Sequence, residues 1–448
     1  MPKRKAEVAG AEVARRARPA WEGLFIGAAT WGEGGPFSAG REQALLAIGP
    51  PRSGKTTSLV VPNVLIAPGA VVATSTKTDL CNWSAAPRAS RGQVWLFDPS
   101  GTTPTSWATR LCWSPLHGCE YWQVAADRAH SLCWAAQSGA GLVRGDHWKE
   151  RAEALIGPLL HAAALGHQSM GKLMAWVLRR DVDEAVEVAR RAGGHDLAAY
   201  TLEGVLATDE RERSGIFSTA AGVLAAYRNP VALEQANAHN FDPEAFVRSS
   251  GTVYACAPAT EQSQLAPIVV SFLEALRRAA YARGRGWPPV LFALDEVANI
   301  APLPGLPALV SEGGGQGVVT LACLQDLSQA RARWGEAAEG FLTLFGWKLL
   351  LPGVADLRTL QLFSALAGER WVERSSSTVT TSGLFGPQIS RSYNTYSQRV
   401  PVLPVNEASA LPPGTALVAG PGQGPALVNL VPAWQEPWRG VISAATSP

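Results

Sequence analysis

Residues Gly49 to Thr56 read GPPRSGKT, and this stretch decides the fold. It matches GxxxxGKT, follows an apolar strand-like run, Ala44 to Ile48, and precedes an apolar helix-like stretch, Thr57 to Ile66, broken by Pro62. Gly49 and Gly54 allow the backbone to wrap closely around phosphates, so that successive N–H groups and the following helix N-terminus point at anionic oxygens. Lys55 is expected to reach the β- and γ-phosphates and Thr56 to bind Mg²⁺ through its hydroxyl. The nucleotide-binding set expected from the motif is Gly49, Pro50, Pro51, Arg52, Ser53, Gly54, Lys55, Thr56 and Thr57. Composition gives about 0.01 chance matches in a chain of this size, so a glycine-rich turn with an incidental lysine is the weaker reading. The motif announces a nucleoside triphosphate, with ATP and Mg²⁺ as the expected pair, without saying what work is done.

Outward from that loop, strand-like runs continue at Ala70 to Thr74 and Val94 to Phe97. The pattern then changes to Ala/Leu-rich segments with helical spacing, for example Trp148, Ala152, Leu155, Leu159 and Leu160. Strand-like runs return at Thr252 to Cys256, Val290 to Leu294, Val318 to Leu324 and Trp347 to Leu351, separated by helical stretches such as Gln264 to Arg283. These alternations predict an α/β fold, a P-loop domain with a mainly parallel sheet and an inserted all-α domain. The expected divisions are a basic tail and lead-in over 1–42 and the first part of the P-loop domain over 43–110. The all-α block follows over 111–248, the second part of the P-loop domain over 249–434, and a C-terminal tail over 435–448. Within the second part, the Ser/Thr-rich stretch 375–397 reads as an exposed loop, and Trp21 to Gly40 as irregular structure.

PPVLFALDE supplies a second constellation, a buried strand ending in Asp295 and Glu296. In a P-loop enzyme Asp295 holds the metal through water and Glu296 polarises the attacking water. An acidic pair after an apolar run is also a common helix N-terminus, and the loop upstream favours the catalytic reading. The adjacent glutamate and the lack of an NKxD sequence point to ATP rather than GTP. Gln325, at the end of the run Val318 to Leu324, is placed to sense the γ-phosphate and couple hydrolysis to movement.

Together GPPRSGKTTSLVVPNVL, STKTDL, LDEVANIAPLPGLPALVSEGGGQG, LACLQDLSQARARWG and the closing QRVPVLPVNEASALPPGTALV resemble the coupling proteins of type IV secretion, the TraG/TraD class of conjugative DNA translocases. DHWKERAEALIGPLL and AYRNP stand where that family has its all-α domain. The resemblance runs from about Gln43 to Val431. It implies a RecA-like ATPase that assembles as a homo-hexamer, passes DNA through a central channel, and delivers a relaxase-bound strand to a type IV secretion channel. Relaxase and relaxosome proteins and the channel components are the implied partners, with Lys55, Asp295, Glu296 and Gln325 as catalytic residues and Thr56 and Asp295 as Mg²⁺ ligands. Two features depart from the family pattern. No run reaches the roughly 20 apolar residues of a membrane span, so the expected location is cytoplasmic, with any attachment to the inner face of the membrane made through a partner. Gly314 also stands where many relatives carry an arginine, and Arg331 and Arg333 are nearby candidates for a trans-acting finger, though a solvated helix face explains them as well.

Composition narrows the alternatives. With 47% hydrophobic and 17% charged residues in 448, the chain is globular. The balance of 39 Lys+Arg against 37 Asp+Glu gives a formal charge of +2, so any contact with nucleic acid must rest on local sites. The first 18 residues are locally basic. Six cysteines without zinc-ligand spacing imply neither a disulfide framework nor a metal knuckle. The 16 Trp are scattered, without aromatic and basic residues interleaved along one segment, and His147 and Trp148 read as packing. A nucleotide-gated recruitment protein that binds a relaxase or effector without pumping DNA is the second reading, and a metabolic kinase the weakest.

Overall fold

A computed structural model describes residues 21–29, 36–104, 106–136, 145–191, 197–382 and 388–446. The basic stretch of the first 18 residues lies outside them. The strands in chain order are β1 (Phe25–Ala29), β2 (Pro36–Ser38), β3 (Leu45–Ile48), β4 (Val71–Ser75), β5 (Val94–Phe97), β6 (Thr109–Arg110) and β7 (Thr252–Cys256). They continue with β8 (Val290–Leu294), β9 (Val318–Leu324), β10 (Trp347–Leu350), β11 (Glu369–Ser382), β12 (Gln388–Pro401), β13 (Thr415–Gly420) and β14 (Gln423–Asn429).

Twelve of them form one sheet in the order β2-β1-β14-β13-β10-β3-β9-β8-β4-β7-β5-β6. From β10 to β6 all neighbours run parallel, whereas β13, β14, β1 and β2 add an antiparallel edge. This is the mainly parallel α/β sheet read from the sequence. The central strands are continuous apolar runs because a parallel sheet is covered on both faces. In β3, Leu46 and Ile48 face one core with Val72, Phe97 and Phe292, while Leu45 and Ala47 face the other with Val71, Tyr254 and Leu349.

Between β6 and β7 lies the helical block, from the helix Trp122–Ala135 to the short helix Pro243–Phe246. Its long helix Gly145–Leu165 buries Ala152, Leu155, Leu159 and Leu160. Trp148 belongs to packing: a Cβ on Gly215 would lie 2.5 Å from its ring. The block is tied to the sheet layer by Arg128, whose buried guanidinium stacks 4.5 Å over Trp113 and donates to the Ser271 carbonyl at 2.9 Å, on the helix Gln262–Ala282.

Three segments differ from expectation. Trp21 to Gly40 contains β1 and β2, because β14, some 400 residues on, supplies the pairing partner that local sequence does not reveal. Pro62 does not break the helix after the loop: a π-helical turn, Thr56–Val60, runs into the helix Val61–Ile66 with Pro62 in its first turn, where a missing N–H is tolerated. Within the Ser/Thr-rich stretch 375–397, residues 375–382 and 388–397 are not loop but belong to β11 and β12, paired antiparallel in a separate two-stranded sheet, and 383–387 lie outside the described residues.

Arg88 holds the lower ends of the central strands. Fully buried, it donates to Thr252 Oγ1 at 2.7 Å and to the carbonyls of Ala67 at 2.8 Å, Gly69 at 2.9 Å and Ser250 at 2.8 Å. The segments that lead into β4 and β7 therefore share one cation. Replacing it by methionine keeps the bulk but strands carbonyl groups without donors, at about 1–3 kcal/mol for each left unsatisfied. Arg88→Met is expected to lose about 3 kcal/mol in urea unfolding; a loss below about 1 kcal/mol would mean that the clamp contributes little.

Candidate functional site

The expected site residues converge at the C-terminal ends of β3, β8 and β9, three adjacent parallel strands. The chain leaves β3 at Ile48, turns through Gly49–Lys55 and enters the helical stretch at Thr56. The turn needs two left-handed residues, Arg52 at φ +66° and Gly54 at φ +97°. Glycine adopts that conformation freely, whereas for Arg52 it costs about 1 kcal/mol, a strain of the kind concentrated at ligand-binding loops.

The Lys55 side chain is buried and folds back along the loop, donating to the carbonyls of Gly49 and Pro50. Gly49 N–H donates to the Leu324 carbonyl at 3.0 Å, which seats the start of the loop against the end of β9. Gln325 follows immediately, half-buried, and its backbone N–H is held by Gln329 Oε1 at 3.1 Å.

Thr56 Oγ1 donates to Asp295 Oδ2 at 2.6 Å, joining two residues 239 positions apart. The backbone carbonyl of Asp295 accepts from Thr74 Oγ1 at 2.9 Å, so β4 also fixes the end of β8. Burial pushes the Asp295 carboxyl above the usual carboxylate range, opposed by the Thr56 hydrogen bond and by the Lys55 charge. Its second oxygen, Oδ1, is buried with no hydrogen-bond partner among the described residues. A hydroxyl and a carboxylate side by side, with one carboxylate oxygen unused, suit a hard divalent cation that keeps most of its own water. Behind them Cys323 is buried, and burial first, then Asp295, pushes its thiol well above the ordinary range, so it is a packing group.

Glu296 sits in the left-handed conformation at φ +51°, between the strand and the short helix Val297–Ile300. Its carboxylate accepts from Asn299 Nδ2 at 3.4 Å. A glutamate held this way turns its side chain off the strand direction at a backbone cost of about 1 kcal/mol.

Two positions missed by the sequence reading hold parts of this site, Thr74 the end of β8 and Ala433 the start of the loop helix. Thr74 was legible only as the end of a strand run. Ala433, beyond β14, donates its N–H to the Thr57 carbonyl at 2.9 Å, bringing the C-terminal segment onto the start of the loop helix. Neither carries a local signal, since each acts through a contact with a distant part of the chain.

The structure also accounts for Gly314. A Cβ there would lie 2.1 Å from the Glu42 carbonyl oxygen, so no arginine fits this backbone. Arg333 donates to the Ala298 carbonyl at 2.8 Å and braces the segment after Glu296 from within the same chain. Arg331 lies half-buried on the helix Leu327–Trp334.

The chain matches the family described as "Type IV secretory system Conjugative DNA transfer" over residues 3–426. Two conjugal transfer proteins TraG of Escherichia coli are each 26% identical, one over 439 residues with 89% of this chain and 67% of its own length covered, the other over 323 residues with 64% and 49%. The chain thus spans about two thirds of one relative and about half of the other. Among solved structures, the unbound bacterial conjugative coupling protein TrwB superposes with a TM-score of 0.70 at 18% identity, covering 94% of this chain and 91% of that one. The plasmid coupling protein TrwB in complex with ADP and Mg²⁺ gives 0.69 at 18% identity, with 94% and 91% covered.

Proposed function

The chain belongs to the type IV secretory system conjugative DNA transfer family, and from that premise we propose that it is an ATPase that drives DNA toward a type IV secretion channel. The observation that carries this reading is the pair formed by Thr56 and Asp295, at 2.6 Å, beneath a loop of GPPRSGKT sequence. Support comes as well from a fold neighbour solved in complex with ADP and Mg²⁺.

The residues Gly49, Pro50, Pro51, Arg52, Ser53 and Gly54 would cradle the phosphates with the backbone N–H groups they carry, Thr57 continuing the cradle into the helix. Lys55 would leave the carbonyls of Gly49 and Pro50 for the phosphate oxygens, a stronger charge-assisted bond. Thr56 and Asp295 are the residues that would hold Mg²⁺. When bound, the cation neutralises charge on the β- and γ-oxygens. Glu296 orients the attacking water and takes its proton, and Gln325, adjoining the loop through Gly49, reports the γ-phosphate to β9.

DNA, a relaxase with its relaxosome, and the channel components are the proposed partners, and a homo-hexamer the proposed assembly. Among the described residues no helix is long and apolar enough to cross a membrane; a cytoplasmic position, with attachment to the membrane through a partner, is part of the proposal. The clash at Gly314 supports a second reading, nucleotide-gated recruitment of a relaxase or effector with slow turnover, because the arginine that the family resemblance implies has no place there.

Steady-state hydrolysis with and without DNA separates the two. A translocase is expected to turn over ATP several-fold faster with DNA. Turnover indifferent to DNA overturns that reading, and ATP-dependent partner binding with little turnover and no hexamer favours the second.

A further inference from the structure

We propose that the two-stranded ribbon β11–β12 is a DNA-binding arm, gripping phosphates with its arginines and stacking bases on its exposed rings. The proposal rests on the reading of the chain as a DNA-handling motor and names a surface for it. The ribbon is two strands of 14 residues in unbroken register, from Glu369 opposite Pro401 to Ser382 opposite Gln388. At about 3.4 Å per residue this is an arm about 45 Å long. It belongs to no other sheet, and its described side chains are exposed apart from the half-buried Val372 and Val400 near its base. A two-stranded ribbon is marginal in water without a partner.

Large rings stand out on it: Trp371 is 65% exposed, Tyr393 72% and Tyr396 48%. In the sequence they already stand close to arginines, Trp371 next to Arg370 and Tyr393 and Tyr396 between Arg391 and Arg399, and the register pairs the two groups across the ribbon. Trp371 pairs with Arg399, whose guanidinium lies 4.9 Å from the indole centroid, and Arg374 pairs with Tyr396. Strand alternation puts Arg391, Tyr393, Arg399 and Trp371 on one face. The other face carries Arg370, Arg374 and Tyr396, and no carboxylate. The only acidic residues on the ribbon are Glu369 and Glu373 against four arginines, so the arm holds a net charge equal to that of the whole chain, +2.

Charge and chemistry select the occupant. Arginines and Ser/Thr hydroxyls contact phosphate and sugar, and a sequence-tolerant stack on aromatic rings is worth about 1–3 kcal/mol per base. A protein interface would bury a contiguous apolar centre, whereas the exposed length of the ribbon supplies hydroxyls and guanidiniums instead. Among the described residues its rings and arginines make no hydrogen bond or ion pair to the Gly49–Thr57 loop or to Asp295 and Glu296, so the grip and the hydrolytic site can be altered separately.

The test uses the full chain and fluorescent oligothymidylate, with a duplex of equal length as a second probe, read by anisotropy over a salt series. Trp371→Ala, Tyr393→Ala and Tyr396→Ala together are expected to weaken binding by about tenfold or more. Arg370→Gln, Arg374→Gln, Arg391→Gln and Arg399→Gln together should flatten the log–log salt dependence by about 0.7 for each phosphate of a single strand that is no longer neutralised. Hydrolysis without DNA should stay at the wild-type rate in both variants, which also reports that they fold; Tyr393→Ala alone serves as the mild variant. If wild-type protein binds DNA and the variants bind it equally, the arm is overturned while the motor reading stands. If wild-type protein binds neither probe, both fall. Loss of self-association with DNA affinity unchanged would make the ribbon a contact between copies and overturn the proposal.

Discussion

Lys55→Ala is expected to abolish ATP hydrolysis, lowering turnover by about a hundredfold to a thousandfold, the loss seen when one preorganised donor is removed from developing charge. The expectation follows from where the ammonium sits. It is buried, and its hydrogen bonds go to carbonyls of the same loop, while the Asp295 carboxyl feels its charge without accepting a hydrogen bond from it. Exchange of those neutral acceptors for phosphate oxygens is favourable, and alanine offers nothing in return. The variant should also lose the rise in melting temperature expected of the wild-type protein with ATP and Mg²⁺, since a ligand stabilises only the state that binds it. Melting without nucleotide controls for folding. A variant that keeps both the nucleotide-dependent shift and near-normal turnover would remove Gly49–Thr57 as the site.

Glu296→Gln is expected to separate binding from chemistry. The amide keeps the size of the side chain and its position at φ +51°, but it cannot take a proton from water. Turnover should fall by about 10²–10⁴, the range general-base catalysis contributes, while the stabilisation by ATP and Mg²⁺ persists because Thr56 and Asp295 are untouched. Unchanged turnover would transfer the base to another group. Loss of nucleotide binding together with turnover would mean that Glu296 acts through the backbone, holding the turn after β8.

The two substitutions test roles that the sequence made legible to different degrees. GPPRSGKT between an apolar strand and a helix is a local signal: strand, turn and helix are set by residues within about 20 positions of one another. The central strands were legible for the same reason, each a continuous apolar run such as Val290–Leu294. That Asp295 meets Thr56 was only inferable, because it depends on β8 and β3 both pairing with β9.

The ribbon shows the limit of local reading. Ser/Thr-rich and without apolar alternation, 375–397 has the composition of a loop, and only the partner strand turns 375–382 and 388–397 into β structure. Its rings and arginines stand close together in the sequence, but their pairing across the two strands is a property of register. Arg88 and Gly314 are of the same kind. A buried guanidinium joining Ala67, Gly69, Ser250 and Thr252, and a glycine pressed against Glu42, leave no trace in a window around either residue.

By itself, then, the sequence determined the GPPRSGKT turn, the acidic pair, the parallel core strands and the helical block between them. Those features are written in short-range patterns of apolarity, glycine and charge, which one segment of chain can satisfy alone. The tertiary structure decided which carboxylate meets the Thr56 hydroxyl, why glycine stands at 314, and how the ribbon presents its surface. Each depends on backbone pairing or close approach between residues separated by tens to hundreds of positions, and that information appears only when the sheet closes.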